Sequence, residues 1–253
     1  MSPRDFTLRG LTERLIVAFT SVDTRTMRSA WCLLRHPGRL TLAWMKGVRK
    51  THVAPITLFL LINVVFFAVQ SLTGETVFSS SLDSHLHHQD WSGYAQARVA
   101  EKLEKSGTPL AEYAPVFDLA VVVNAKSLII MMTAPFALLL PLVFLRERRP
   151  FMTHVVFSLH LYSFLLLLFC VALLVARLSA VLGFGDLQSS VVDNVLSIVN
   201  IAACALYIYL AIGPVYGTSG GMRIAQTAVL AIAVAAIVIG YRFALFLITL
   251  STT

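Results

Sequence analysis

Charge is what this sequence has least of. Of its 253 residues only 13% are Asp, Glu, Lys or Arg, while 57% are hydrophobic. A soluble domain carries about 25% charged residues. Half that fraction leaves too little polar surface to cover a globule in water, which excludes an ordinary soluble enzyme and points to a membrane protein. Cysteine is also scarce. Cys32, Cys170 and Cys204 show no Cys-x-x-Cys spacing, and the last two fall inside apolar runs. This excludes a disulfide framework and a cysteine zinc site, and predicts buried, inert thiols. The first residues, MSPRDFTLRGLTERLIVAF, lack the unbroken apolar core and small-residue cleavage site of a secretory signal, so the segment is expected to be retained.

Carboxylates are missing altogether from five long apolar runs: 55–72, 127–145, 154–176, 195–216 and 224–247. A span takes about 20 apolar residues, and its backbone amides must bond internally, so each run reads as a helix. The predicted fold class is all-α, a polytopic membrane protein of about five transmembrane helices. The absence of buried acids excludes acid-driven cation transport and an aspartyl intramembrane protease.

What is present is positive charge, unevenly placed. Residues 1–54 hold ten Lys/Arg against three acids, and residues 73–126 hold four against seven. LRERRPFMT adds three arginines, the 177–194 connection has one arginine and two aspartates, and the last short loop has only Arg223. The alternation orients the chain, because Lys and Arg accumulate on the cytoplasmic side. The N-terminus is then cytoplasmic, the C-terminus extracytoplasmic, and 73–126 an external segment. The net charge of +7 is thus a membrane signal rather than a nucleic-acid one. Segment 1–54 reads as basic, amphipathic and interfacial. Its expected partner is the bilayer, through anionic lipid headgroups. One helix over 24–35 starts at Asp23 or Thr24 and stops before Pro37, and Pro55 begins the first span.

Several polar residues raise functional alternatives. His85, His87 and His88 in SHLHHQDW are candidate metal ligands, but their spacing fits no zinc motif and a solvated loop is the expectation. YAQARVAEKLEKSG predicts a surface helix ending near Gly107. Lys126 and Arg146 stand 20 residues apart, about 30 Å of helix, which places Lys126 at the outer interface. Arg242 is expected to snorkel outward beside Tyr241, Phe243 and Phe246. His154 and His160 sit about 9 Å apart in rise and roughly 120° apart around a helix. That separation suits two partners or a proton relay better than one metal. Asn63, Tyr162, Asn200, Tyr207 and Tyr209 read as interhelical glue. Gly220 and Gly221 with Arg223 form either an anion nest or a plain turn. Small residues at 231/235 and 236/240 suit close packing, or a homodimer through the last span.

Three stretches carry a resemblance. HPGRLTLAWMKGVRKTHVAPITLFLLINVVFF supplies Pro37, Gly47, Arg49 and Pro55. RRPFMTHVVFSLHLYSFLLLL supplies His154, Phe157, Leu159 and His160. AIGPVYG supplies Val215, Tyr216 and Gly217. In this order they resemble an uncharacterised bacterial membrane-protein family, domain of unknown function 3667. The resemblance covers about residues 27–223, and His52 stands where an aromatic often precedes the second proline. The N-terminal zinc ribbon of many members has no counterpart here, so no zinc role carries over, and no cofactor is expected. Arg49, His52, His154, His160 and Tyr216 are the candidate polar site. The leading functional expectation is a small permease-like protein of a bacterial inner membrane for an anionic or lipid-like substrate. An envelope assembly or scaffold protein is the alternative, and a lipid-headgroup enzyme the third.

Overall fold

The computed structural model describes residues 24–48, 50–74, 77–181 and 189–253. Ten α-helices and no strand are found among the described residues: α1 (Thr24–Arg35), α2 (Arg39–Met45), α3 (Pro55–Thr73), α4 (Leu82–His87), α5 (Ser92–Ser106), α6 (Leu110–Leu128), α7 (Thr133–Val143), α8 (Phe151–Val181), α9 (Ser189–Tyr216) and α10 (Gly220–Thr252). A 3₁₀ turn, Ile129–Met132, joins α6 to α7. Five helical stretches are long and apolar enough to cross a membrane: Pro55–Thr73, Leu110–Val143, Phe151–Ser179, Val195–Tyr216 and Gly220–Thr252. The protein is a multi-pass membrane protein, with the five expected spans. The amphipathic reading of residues 6–23 lies outside the described residues.

Local chemistry sets the boundaries. Pro55 occupies the first turn of α3, where its missing N–H costs nothing, and Gly74 closes that helix in the left-handed region at φ 76°. Gly107 ends α5 the same way at φ 67°. Pro135 cannot donate to the carbonyl four residues back. The chain tightens to a 3₁₀ turn just before it, and the Thr133 hydroxyl donates to the Ile130 carbonyl at 2.7 Å. The second span therefore begins well before residue 127, as a rod from Leu110 to Val143 with one tight turn inside it.

α8 is the centre of the bundle. It packs along α3 and against α7 and α9, while α10 closes the other flank against α6 and α9. Apolar on every side, α8 is the most buried of the five spans, its basal half enclosed by neighbours and Val171, Leu174 and Leu178 exposed toward its distal end. α1 and α2 dock on α8, α9 and α3 at one end, called basal here. Leu33, Leu40, Ser29 and Thr41 are buried there, so these helices pack under the bundle rather than only lying in the headgroup layer.

At the opposite, distal end, α10 and the α6–α7 rod outrun the bilayer. α10 has 33 residues, about 50 Å, against a hydrocarbon thickness of about 30 Å. α4 and α5 cover the excess. Lys102 donates to the Leu250 carbonyl, satisfying one of the free carbonyls at the end of α10. Tyr113 Oη lies 2.6 Å from Thr253 Oγ1.

Two expectations are corrected at this end. SHLHHQDW is not a solvated loop: Ser81 caps α4, the Asp118 carboxylate accepts the Leu82 N–H at 2.7 Å, and His85 is buried. Arg242 does not snorkel out among an aromatic belt. Its Nη2 donates to Ser80 Oγ at 2.7 Å, in the connection between α3 and α4. Tyr241 packs on Phe78 and donates to the Ala125 carbonyl; Phe243 packs on Trp91, and Phe246 on His85. These rings bind the distal segment because it, and not lipid, occupies that side of α10.

Candidate functional site at the basal end

The three motif stretches, far apart in the chain, meet at the basal end. Gly38, between α1 and α2, adopts φ 79°, and a β-carbon built on it would stand 2.5 Å from the Ala211 carbonyl oxygen and 3.1 Å from Pro214 Cγ on α9. Only glycine satisfies both the backbone angle and the close approach. That contact sets α2 against α9 and aims Thr41 inward.

Thr41 Oγ1 lies 2.8 Å from Nδ1 of His160, both side chains fully buried. His154, about 9 Å nearer the basal surface, uses a different partner: its Nδ1 is 2.9 Å from Tyr216 Oη. Tyr216 is clamped by Phe144, stacked at 3.8 Å, and by Phe157, edge-on at 5.5 Å. The two histidines thus face two separate partners, Thr41 and Tyr216. His52 makes a third pairing, with Nδ1 3.4 Å from Ser29 Oγ. That hydroxyl also accepts the Val53 N–H at 3.0 Å and donates to the Arg25 carbonyl at 2.7 Å. Burial, reinforced by the nearby Arg28 guanidinium, lowers the His52 pKa from its ordinary value. Arg49 lies outside the described residues.

Each of the four described candidates therefore joins two helices, or a helix to the ramp before α3. Chemically, the arrangement is a set of buried hydrogen-bonded clips that fasten the basal helices to the bundle. Three atoms nearby have no partner: His160 Nε2, Tyr162 Oη and Asn63 Oδ1. On parallel helices starting at the same end, Asn63 and His160 lie at nearly equal depth, eight and nine residues in, about 12–14 Å.

Arg223, read from the sequence as part of an anion nest or a plain turn, stands beside this region. Pro214 lacks the N–H that would bond to the Leu210 carbonyl. Arg223 reaches back from α10, donating from Nε to the Tyr209 carbonyl at 2.7 Å and from Nη2 toward Leu210 at 3.4 Å. Its guanidinium lies over the Tyr209 ring at 4.1 Å and against Gly213, where any side chain would collide with it. Gly220 and Gly221 accordingly open α10 after the short connection 217–219, with Arg223 committed to α9 rather than to an anion. The signal was legible in principle, as a helical Pro close to a span-end Arg.

The distal histidines do not converge. His85 is buried, with Nδ1 accepting from Trp91 Nε1 at 3.2 Å, whereas His87 and His88 are exposed and His87 pairs with Asp83 at 3.0 Å. Among the described residues no group of three potential ligands could hold a metal. Cys170 and Cys204 are free and buried, as expected.

Residues 23–67 match the family model described as protein of unknown function, DUF3667. The match contains Pro37, Gly38, Thr41, Gly47 and Pro55, and bears out the resemblance over that stretch; the motifs around His154 and Tyr216 lie beyond it. No curated protein and no solved structure matches the chain.

Proposed function

We propose that this chain is a permease-like protein of a bacterial inner membrane that binds and moves an anionic, lipid-like substrate, which enters sideways from the bilayer. The basal end faces the cytoplasm in this reading, where its lysines and arginines meet anionic headgroups.

The observation that carries the reading is where open space lies. Two grooves, of about 540 and 510 Å³, flank α10 and are walled almost wholly by apolar side chains. Their rims include Ile232 and Ile239 on one side, and Met131 and Leu138 on the other, all well exposed on the surface that hydrocarbon would cover. Volumes of this size suit a small ligand. The basal polar groups, in contrast, are closed in pairs. An apolar substrate body is therefore favoured over a hydrated ion. The charge it would carry is negative, because arginines stand near the span ends while carboxylates are missing from the apolar stretches 55–72, 127–145, 154–176, 195–216 and 224–247.

The test is transbilayer movement. Full-length protein is reconstituted in liposomes containing a fluorescent phosphatidylglycerol, and the fraction open to a membrane-impermeant quencher is followed in time. Faster loss of the protected inner-leaflet fraction than in protein-free liposomes is expected. Identical rates, for this lipid and for a fluorescent lysophospholipid, would overturn the reading.

A further inference from the structure

We propose that Arg242 and the larger groove beneath it form a phospholipid site, with the lipid phosphate on the guanidinium and an acyl chain in the groove. The proposal rests on the lipid-like substrate class above and assigns that class a place.

Arg242 stands at the right height. It follows Arg223 by 19 residues, about 28 Å of helix, and Lys126 precedes Arg146 by 20, about 30 Å. Each pair brackets one hydrocarbon thickness. Arg242 thus lies at the level of the distal phosphates, not at the bilayer centre.

Among the described residues its charge has no counter-charge. Arg223 is satisfied by α9 carbonyls and an aromatic face, but the described hydrogen-bond partner of Arg242 is the neutral Ser80 hydroxyl. Its Nε is buried without a partner, and no carboxylate among the described residues lies within ion-pair reach. His85, which feels the Arg242 charge, is held neutral by burial and so offers no counter-charge. A half-buried guanidinium left like this calls for an anion, and a phosphate takes its forked N–H groups in pairs.

The groove continues from that charge. Ala231, Ala235, Val238 and Ile239 line it and recur at three- and four-residue steps that lead to Arg242, so all five share one stripe of α10. The stripe is floored by small side chains. Ser197 and Asn200 of α9 line the same groove, about 24–29 Å above the basal end of that helix, so its polar lining sits just below the arginine. The Asn200 amide there is a donor suited to an ester carbonyl. On the other wall, Phe169 packs edge-on against Phe78, two residues before Ser80. Charge, polar lining and apolar trough thus follow the order of a phospholipid: phosphate, esters, chain.

The experiment measures retention of three probes by the full chain purified in detergent, using native mass spectrometry. They are dioleoyl phosphatidylglycerol, dioleoylglycerol, which has the chains without the phosphate, and glycerol 3-phosphate, which has the phosphate without the chains. The wild-type protein is expected to hold the phospholipid about tenfold more tightly than dioleoylglycerol, and glycerol 3-phosphate hardly at all. Arg242→Gln should abolish the tenfold preference and leave dioleoylglycerol unchanged. Arg242→Lys, which keeps the charge and serves if the first variant does not fold, should retain part of it. Ala235→Leu, which fills the trough, should weaken both diacyl lipids alike. Equal retention of the two lipids by the wild type, a preference untouched in Arg242→Gln, or binding indifferent to Ala235→Leu would each overturn the site. Lipid movement in liposomes that survives in Arg242→Gln removes the site and leaves the transport reading standing. Phospholipid retention by a protein that moves no lipid does the reverse.

Discussion

Thr41 and His160 are 119 residues apart in the chain and 2.8 Å apart in space, sealed from solvent. One lies on a seven-residue helix at the basal surface, the other more than two turns into the central span. The bond is therefore the deepest fastening between the basal helices and the bundle. Thr41→Val keeps the side-chain shape and removes the hydroxyl. His160 Nε2 already lacks a partner, so the variant leaves both ring nitrogens unpaired. The expected loss is about 1–3 kcal/mol, read as a lower thermal unfolding midpoint of the detergent-solubilised protein. Cys32, half-buried on α1, should also react faster with a maleimide as the basal helices loosen. An unchanged midpoint would show that the bond contributes nothing net.

Gly38 and Gly47 make a matched pair. Both adopt positive φ, 79° and 78°, but a β-carbon on Gly47 meets nothing within 4 Å, whereas one on Gly38 strikes the Ala211 carbonyl. Gly47→Ala should cost only the left-handed backbone term, about 1–2 kcal/mol. Gly38→Ala must in addition push α2 away from α9, and should lower the unfolding midpoint considerably more. Equal effects would mean that the approach of Gly38 to Ala211 is not a constraint.

The distance between sequence and structure follows from what each signal depends on. Span number was legible, and so was the location of every span but the second, whose start lies well before residue 127, because the bilayer imposes length and apolarity on a local stretch. So were the stop at Gly107 and the start at Pro55, which are local backbone chemistry. The Thr41–His160 and His154–Tyr216 pairings were not, since a buried polar group announces that it needs a partner without naming it. The distal end misled for a related reason. Tyr241, Phe243 and Phe246 beside Arg242 have the composition of an interfacial belt, yet α10 is longer than the bilayer is thick. Those rings are covered by α4 and α5, whose folding depends on contacts with α6 and α10. SHLHHQDW showed no clear periodicity because α4 is barely more than one turn, ordered by Ser81 and Asp118 rather than by its own pattern.

Arg223 repairs a defect made by Pro214. Arg223→Lys keeps the charge but loses the fork that reaches both carbonyls and the flat face that covers Tyr209. A loss of about 1–2 kcal/mol is expected, with Arg223→Ala larger, because the freed Leu210 carbonyl is then left to water or lipid. Installing the missing donor tests the cause. In Pro214→Ala, which restores the helical N–H, Arg223→Lys should cost less than in the wild-type background. A double-mutant cycle on thermal or denaturant midpoints reads the difference, and strict additivity would show that proline and arginine are unrelated.

His85 makes the distal cap sensitive to acid. Burial, with the Arg242 charge nearby, pushes its pKa down to about 4, and its Nδ1 accepts from Trp91, an interaction that the protonated ring cannot keep. The unfolded side chain titrates near 6.5. Between these values the unfolded chain binds the proton that the folded one refuses, so stability rises with pH there. The contribution is fully present above pH ~6.5, declines as the pH falls, and is exhausted near pH ~4, a difference of up to about 3 kcal/mol. Trp91 packs on both His85 and Phe243, so its fluorescence should report the opening of α4 from α10 over that window. In His85→Phe, which fills the same apolar site without a titrating nitrogen, the dependence of the Trp91 signal between pH 6.5 and 4 should flatten, while His52, whose pKa is also lowered, and carboxylates such as Glu101 still respond. That group's pKa is held low by Lys105 and Arg98, so its pairing is lost at still lower pH. A pH profile that His85→Phe leaves unaltered would place the acid sensitivity elsewhere.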